Sequence, residues 1–318
     1  MGTITSPSLN SKLKVMYSEK LKKDDLEDLI KQNTIKDALI ILKSKIPSLE
    51  DLPNNASRIE LEDSLDNILI YDIKKILKYL QGKNKEIFEQ YILKYKIETI
   101  KKLYEDLSVL NLNMTNNYWI QNLFTDLKTL VTTTKKDDFI EKIPEKNIKD
   151  IFANSNSDFE RENKLDKYYF ENFLKTIKGK NKKLEDLLKT QIDLLNILWA
   201  YRCAKYYGVI NQDILINCFY KIDLNIIKKI ENSNNLDDLK QSLEGTIYKD
   251  IIQNDIEIDI KRFLYKKSKK TFRNEMLDLS MIISYLKILE TEKENIVTII
   301  EGIRYKMPSE NIQRKIII

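Results

Sequence analysis

A chain of 318 residues with 42% apolar content can bury a sizeable core, while only 6 glycines and 5 prolines leave too few tight turns for a many-stranded protein. Its 54 basic and 49 acidic residues are interleaved to a net charge of +5, so no basic block resembles a nucleic-acid footprint. The absence of histidine removes imidazole from every acid–base, nucleophile-activating and metal-binding role.

The spacing of apolar residues predicts an all-α fold. Residues 10–32 and 34–46 read as two helices, the second opened by Thr34 as N-cap with Asp37 placed to reach back. Pro47 and Pro53 bracket a short connection. A helix over 71–80 carries Ile73, Ile76, Leu77 and Leu80 at i, i+3, i+4 and i+7, and Gly82 stands where helices commonly end in a left-handed cap. The long helix that follows bears two adjacent stripes, Phe88/Ile92/Tyr95/Thr99/Leu103 and Leu93/Ile97/Ile100/Tyr104, which predict a wide buried face.

This block then returns. Residues 71–100 and 168–197, offset by 97 positions, share eight identities, among them Gly82-Lys83-Asn84-Lys85 repeated as Gly179-Lys180-Asn181-Lys182. A third echo sets Asp259-Ile260-Lys261-Arg262-Phe263-Leu264 against Asp72-Ile73-Lys74-Lys75-Ile76-Leu77. The alternation of Ile256-Glu257-Ile258-Asp259-Ile260 has a strand-like period of 2, but its repeat partner is helical by pattern, so a helix is expected there too. The last long helix keeps a seven-residue rhythm, Ile282, Leu286, Leu289, Ile296, Ile300 and Ile303, with Lys293 in the intervening slot.

Each long helix also carries a polar/x/x/polar/Ile step: Lys96, Thr99, Ile100; Asp193, Asn196, Ile197; Glu292, Asn295, Ile296. Polar residues three apart beside an apolar stripe suit bonding to a neighbouring helix terminus, or a place at a partner surface. Trp199, Tyr201 and Arg202 cluster on the second long helix and are the residue types of a contact hot spot, though a core-to-rim position suits them equally. Chemistry has little purchase elsewhere. The six glycines lie too far apart for a phosphate-cradling loop, and Cys203 and Cys218 without histidine cannot complete a zinc site and read as buried free thiols.

Three passages resemble the C-subunit family of bacterial and archaeal V-type ATP synthases, whose eukaryotic counterpart is the d-subunit. They are Asp193-Leu194-Leu195-Asn196-Ile197 through Tyr201-Arg202, Tyr285-Leu286 through Glu292-Lys293-Glu294-Asn295-Ile296 to Gly302, and the Leu/x/x/Thr/x/Tyr signature Leu243-Glu244-Gly245-Thr246-Ile247-Tyr248. The first repeat departs from the pattern, with Lys96 and Thr99 in place of acid and Asn.

The resemblance implies three similar helical-bundle repeats, here 1–107, 108–207 and 208–318, in a pseudo-threefold, funnel-like arrangement. It also implies a non-catalytic socket that receives the D and F components of the central shaft and sits on the proteolipid rotor ring, so coupling ATP turnover to H⁺ or Na⁺ transport. Its residues of interest would be Asp193, Asn196, Trp199, Arg202, Thr246, Tyr248, Glu292 and Asn295, in structural or interface roles. No catalytic residue, cofactor, metal, nucleic acid or small-molecule substrate is expected. No apolar run approaches the roughly 20 residues that span a bilayer and no signal-peptide pattern opens the chain, so the residues read as soluble or peripheral to a membrane, and the resemblance implies a peripheral place on the cytoplasmic side. The repeat pattern by itself allows a second reading, an all-helical cytoplasmic scaffold unrelated to a rotary ATPase.

Overall fold

The computed structural model describes residues 5–107, 117–207 and 212–318. Among them there is no β-strand, and no helix is long and apolar enough to cross a membrane. The helices are, in order, α1 (Pro7–Ser18), α2 (Lys23–Ile30), α3 (Ile35–Lys45), α4 (Arg58–Leu77), α5 (Gly82–Asp106), α6 (Tyr118–Asn122), α7 (Lys128–Val131), α8 (Lys136–Glu141), α9 (Lys146–Ala153), α10 (Asp158–Ile177), α11 (Lys182–Tyr207), α12 (Leu224–Ile230), α13 (Leu236–Ser242), α14 (Ile256–Asn274), α15 (Leu279–Arg304) and α16 (Ser309–Lys315). They form two compact units, one of Gly82–Ile260 and one of the described residues up to Gln81 together with Lys261–Ile318.

Local chemistry explains most helix starts. Ser57 and Glu60 close a capping box on α4: the Ser57 hydroxyl accepts the Glu60 N–H at 3.2 Å and the Ser57 N–H donates to the Glu60 carboxylate at 2.7 Å. Ser157 caps α10, its hydroxyl accepting the Glu160 N–H at 3.1 Å. The alternating stretch at 256–260 is the first turn of α14, as expected. Asp255 accepts the N–H groups of Glu257 and Ile258, while Asp259 turns back to accept those of Gln253, Asn254 and Asp255. Five oriented donors on two carboxylates outweigh a period-2 pattern only five residues long.

In the unit of the residues up to Gln81 and Lys261–Ile318, α15 is buried on nearly every side from Leu279 to Leu289 and on one face from Asn295 to Ile303. It packs on α4, with α1, α2, α3 and α16 around it. The expected seven-residue rhythm is buried at each apolar position, and Lys293 in the intervening slot pairs with the buried Asp66 of α4. Thr34 caps α3 as expected, accepting the Asp37 N–H at 3.1 Å and donating its hydroxyl to the Asp37 carboxylate at 2.6 Å.

Two expected helices change their bounds. The helix expected over 10–32 is broken at 19–22, because the Leu21 N–H leaves the helical ladder to donate to Glu292 Oε1 of α15 at 2.6 Å, and α2 restarts with the Asp25 carboxylate accepting the Lys22 N–H at 2.8 Å. The helix expected over 71–80 is the end of a longer one that starts at Arg58 and stops at Leu77. Gly82 has the expected left-handed backbone (φ +53°), but it opens α5 instead of closing α4; Gly179, two residues past the end of α10, is the closing case (φ +71°).

In the unit of Gly82–Ile260, α10 lies against α5 and α11. The Tyr169 hydroxyl donates to the Tyr91 carbonyl at 3.2 Å, and the Phe173 ring packs against both tyrosine rings. The short helices α6, α8 and α9 are fastened to α5 by aromatic contacts: Trp119 stacks on Tyr95 at 4.7 Å between centroids, and Tyr104 meets Phe139 and Phe152 edge-on.

Candidate functional site

The polar steps of α11 and α15 are clamps on non-helical backbone. Asn196 is fully buried; its amide donates to the Ile216 carbonyl at 3.1 Å and accepts the Ile216 N–H at 2.9 Å, with a further bond to the Cys218 carbonyl at 3.3 Å. Asn295 does the same to Ile317, with both bonds at 2.8 Å. An amide carries a donor and an acceptor side by side, so one Asn satisfies both main-chain groups of a residue that crosses the helix in extended form.

The acid three residues earlier receives the loop that arrives beside it. Asp193 accepts the N–H groups of Tyr220 at 2.9 Å and Lys221 at 2.6 Å, and the hydroxyl of Tyr248 at 2.8 Å. Thr246 explains the spacing of its signature: its hydroxyl donates to the Leu243 carbonyl and accepts the Tyr248 N–H, so the turn that it stabilises aims the Tyr248 ring at Asp193. Burial pushes the Asp193 carboxyl up, against the two N–H groups and the phenol; burial followed by the Asp193 charge pushes the Tyr248 hydroxyl up. Glu292 on α15 accepts the Leu21 N–H and faces the Lys20 ammonium at 3.6 Å; burial raises its carboxyl and Lys20 opposes the rise.

The departure at α5 has a physical counterpart. Lys96, where the other two helices have an acid, pairs with Asp126 and Glu145, and although burial works against its charge these two acids hold the ammonium above its usual range. Thr99 does not reach across; its hydroxyl bonds back to the Tyr95 carbonyl of its own helix at 2.7 Å.

Of the eight residues singled out in the sequence, Asp193, Asn196, Tyr248 and Asn295 are thus buried and engaged internally, and Thr246 and Glu292 are partly buried and engaged as well. Trp199 and Arg202 differ. They line an open groove of about 210 Å³ with Phe159, Glu162, Asn163 and Asp166 of α10, and Arg202 pairs with Glu257. Sequence reasoning missed Asp166, and it missed the buried pair of Asp72 and Tyr285, whose hydroxyl donates to the Asp72 carboxylate at 2.6 Å. The available signal for Asp72 was an acid inside the apolar run of α4. That pair lines a cleft of about 500 Å³ together with Tyr71, Lys75, Glu292 and Lys293.

Among the described residues no three Cys, Asp or Glu side chains are arranged to hold a metal ion. The acids with raised carboxyls at the polar steps accept main-chain N–H groups and so join the long helices to the chain that arrives beside them.

No curated protein matches the chain. The family model described as the ATP synthase (C/AC39) subunit does, over residues 9–315. The two clamped helices and the Thr246/Tyr248 turn fall inside that span, and a match over nearly the whole length shows that this protein belongs to the C/AC39 family of V-type ATP synthase components.

Proposed function

We propose that the protein is the non-catalytic central-stalk socket of a rotary V-type ATPase or ATP synthase. It links the shaft, made of the D and F components, to the proteolipid rotor ring, and so couples ATP turnover to H⁺ or Na⁺ transport from a peripheral position on the cytoplasmic side of the membrane. The observation that carries this reading is the family match over 9–315. Three helix pairs of closely similar lengths support it: α4 and α5 with 20 and 25 residues, α10 and α11 with 20 and 26, and α14 and α15 with 19 and 26. We assign them to three repeats, 1–107, 108–207 and 208–318, set about a pseudo-threefold axis as a funnel.

Stiffness is what such a part needs. Torque is transmitted by elements that do not shear, and long helices whose loops are clamped by buried amides resist shear better than helices joined by free loops. The test is binding of the purified full chain to the D–F heterodimer and, separately, to the detergent-solubilised ring. Saturable binding to both is expected. Binding to neither refutes the socket and leaves a helical scaffold of the same family, working outside a rotary ATPase, as the better reading.

A further inference from the structure

The groove between α10 and α11 holds a carboxylate, Asp166, to which no described residue is bonded or ion-paired. Phe159, Glu162, Asn163 and Asp166 stand at i, i+3, i+4 and i+7 and therefore share one face of α10, opposite Trp199, Arg202 and Cys203 of α11, with Ile214 also lining the groove. At about 210 Å³ the space admits one long side chain and falls below the roughly 300–1,000 Å³ typical of small-molecule sites.

The charges are countable. The Lys101 ammonium bridges Glu98 at 2.9 Å and also Glu162, and Arg202 is taken by Glu257. Lys167 turns to the Asp213 carbonyl at 3.1 Å and Lys164 pairs with Glu160 at 2.6 Å. Asp166 has no hydrogen-bond or ion-pair partner among the described residues, and the one cation that bears on it is the already engaged Lys101. Burial pushes its carboxyl up to about 6, Lys101 opposes the rise, and Glu98 and Glu162 add to it; at neutral pH it is still an anion. Beside it lie Phe159, 51% exposed, and the partly exposed Trp199, two ring faces that suit the stem and head of a cationic side chain.

We propose that this groove receives one Lys or Arg side chain, flanked by an apolar residue, from a partner protein, with Asp166 as its counter-charge and Phe159 and Trp199 as its walls. The charge excess argues for a cation, and the rings argue against a bare metal ion. Within the socket reading the partner is a neighbouring component of the rotor, and in that form the inference rests on the reading.

The test uses the full chain as wild type, Asp166→Asn, Asp166→Glu and Phe159→Ala, titrated with the purified D–F heterodimer and with the ring. Loss of about tenfold in affinity for one of the two partners is expected for Asp166→Asn, with partial retention by Asp166→Glu. Asp166→Asn is also expected to melt higher than wild type above pH 6, which separates lost recognition from lost folding. Wild-type affinity of Asp166→Asn for both partners overturns the groove and leaves the socket standing. If the wild type binds neither partner the socket is what falls, and the groove is then judged alone with N-acetyl-Leu-Arg-amide against N-acetyl-Leu-Gln-amide. A selective shift of the Trp199 indole N–H resonance by the Arg peptide, reduced at least about fivefold in Asp166→Asn, sustains the proposal, and equal responses to the two peptides overturn it.

Discussion

Replacing Asn295 by Ala tests whether the polar step is a structural clamp. The substitution removes both 2.8 Å bonds to Ile317, a residue only 3% exposed, so one buried N–H and one buried carbonyl lose their partner. If the chain end stays in place, two unsatisfied groups cost about 1–3 kcal/mol each. If instead it lifts away, water satisfies them, but Ile316 and Ile317, 1% and 3% exposed, leave the core at about 1.5–3 kcal/mol each. Either route gives a loss of about 2–6 kcal/mol. Asn295→Asp keeps the acceptor but points an oxygen at the Ile317 carbonyl, so at neutral pH it is expected to cost at least as much. Urea denaturation supplies the free energy and hydrogen exchange at the Ile317 amide supplies the location. A loss under about 1 kcal/mol with that amide still protected would show that the two bonds do not hold the chain end.

Two further outcomes are expected. A Cβ on Gly302 would lie 2.6 Å from Ile312 Cγ1 and 2.7 Å from its Cδ1 on α16, and overpacking at about 1–3 kcal/mol outweighs a helix-propensity gain of about 1, so Gly302→Ala should destabilise; in an Ile312→Ala background, which lacks both atoms, the same substitution should cost less, and simple additivity in thermal melts would contradict the contact. The raised Asp166 carboxyl favours the folded state below pH 3.8, and that favour is lost as pH rises towards about 6; the shift corresponds to about 3 kcal/mol, which screening of a partly exposed group reduces to about 1–2 kcal/mol. Asp166→Asn should therefore be more stable than wild type by that amount at pH 7 and nearly equal to it at pH 4, and equal stability across the range would refute the uncompensated charge.

The helices were legible because amphipathic spacing and capping are local: Thr34 with Asp37 and the buried rhythm of α15 follow from residues within one or two turns. The polar steps were visible as a pattern, yet their partners were not, since Asn196 bonds a residue 20 positions away and Asn295 one 22 positions away, and nothing in either helix names the target. The Thr246/Tyr248 signature likewise shows its turn in the sequence and its purpose only when the Tyr248 hydroxyl meets Asp193, 55 residues earlier.

What the sequence determined by itself is the helical class and the family resemblance, because periodicity, caps and short motifs are written in neighbouring residues. Only the tertiary structure decided that 10–32 breaks at Leu21, that Asp72 meets Tyr285 across 213 residues, and that Asp166 stays without a partner among the described residues beside Trp199. Each of these turns on which distant group comes within bonding distance, and hydrogen bonds and desolvation act through space with no regard for separation along the chain.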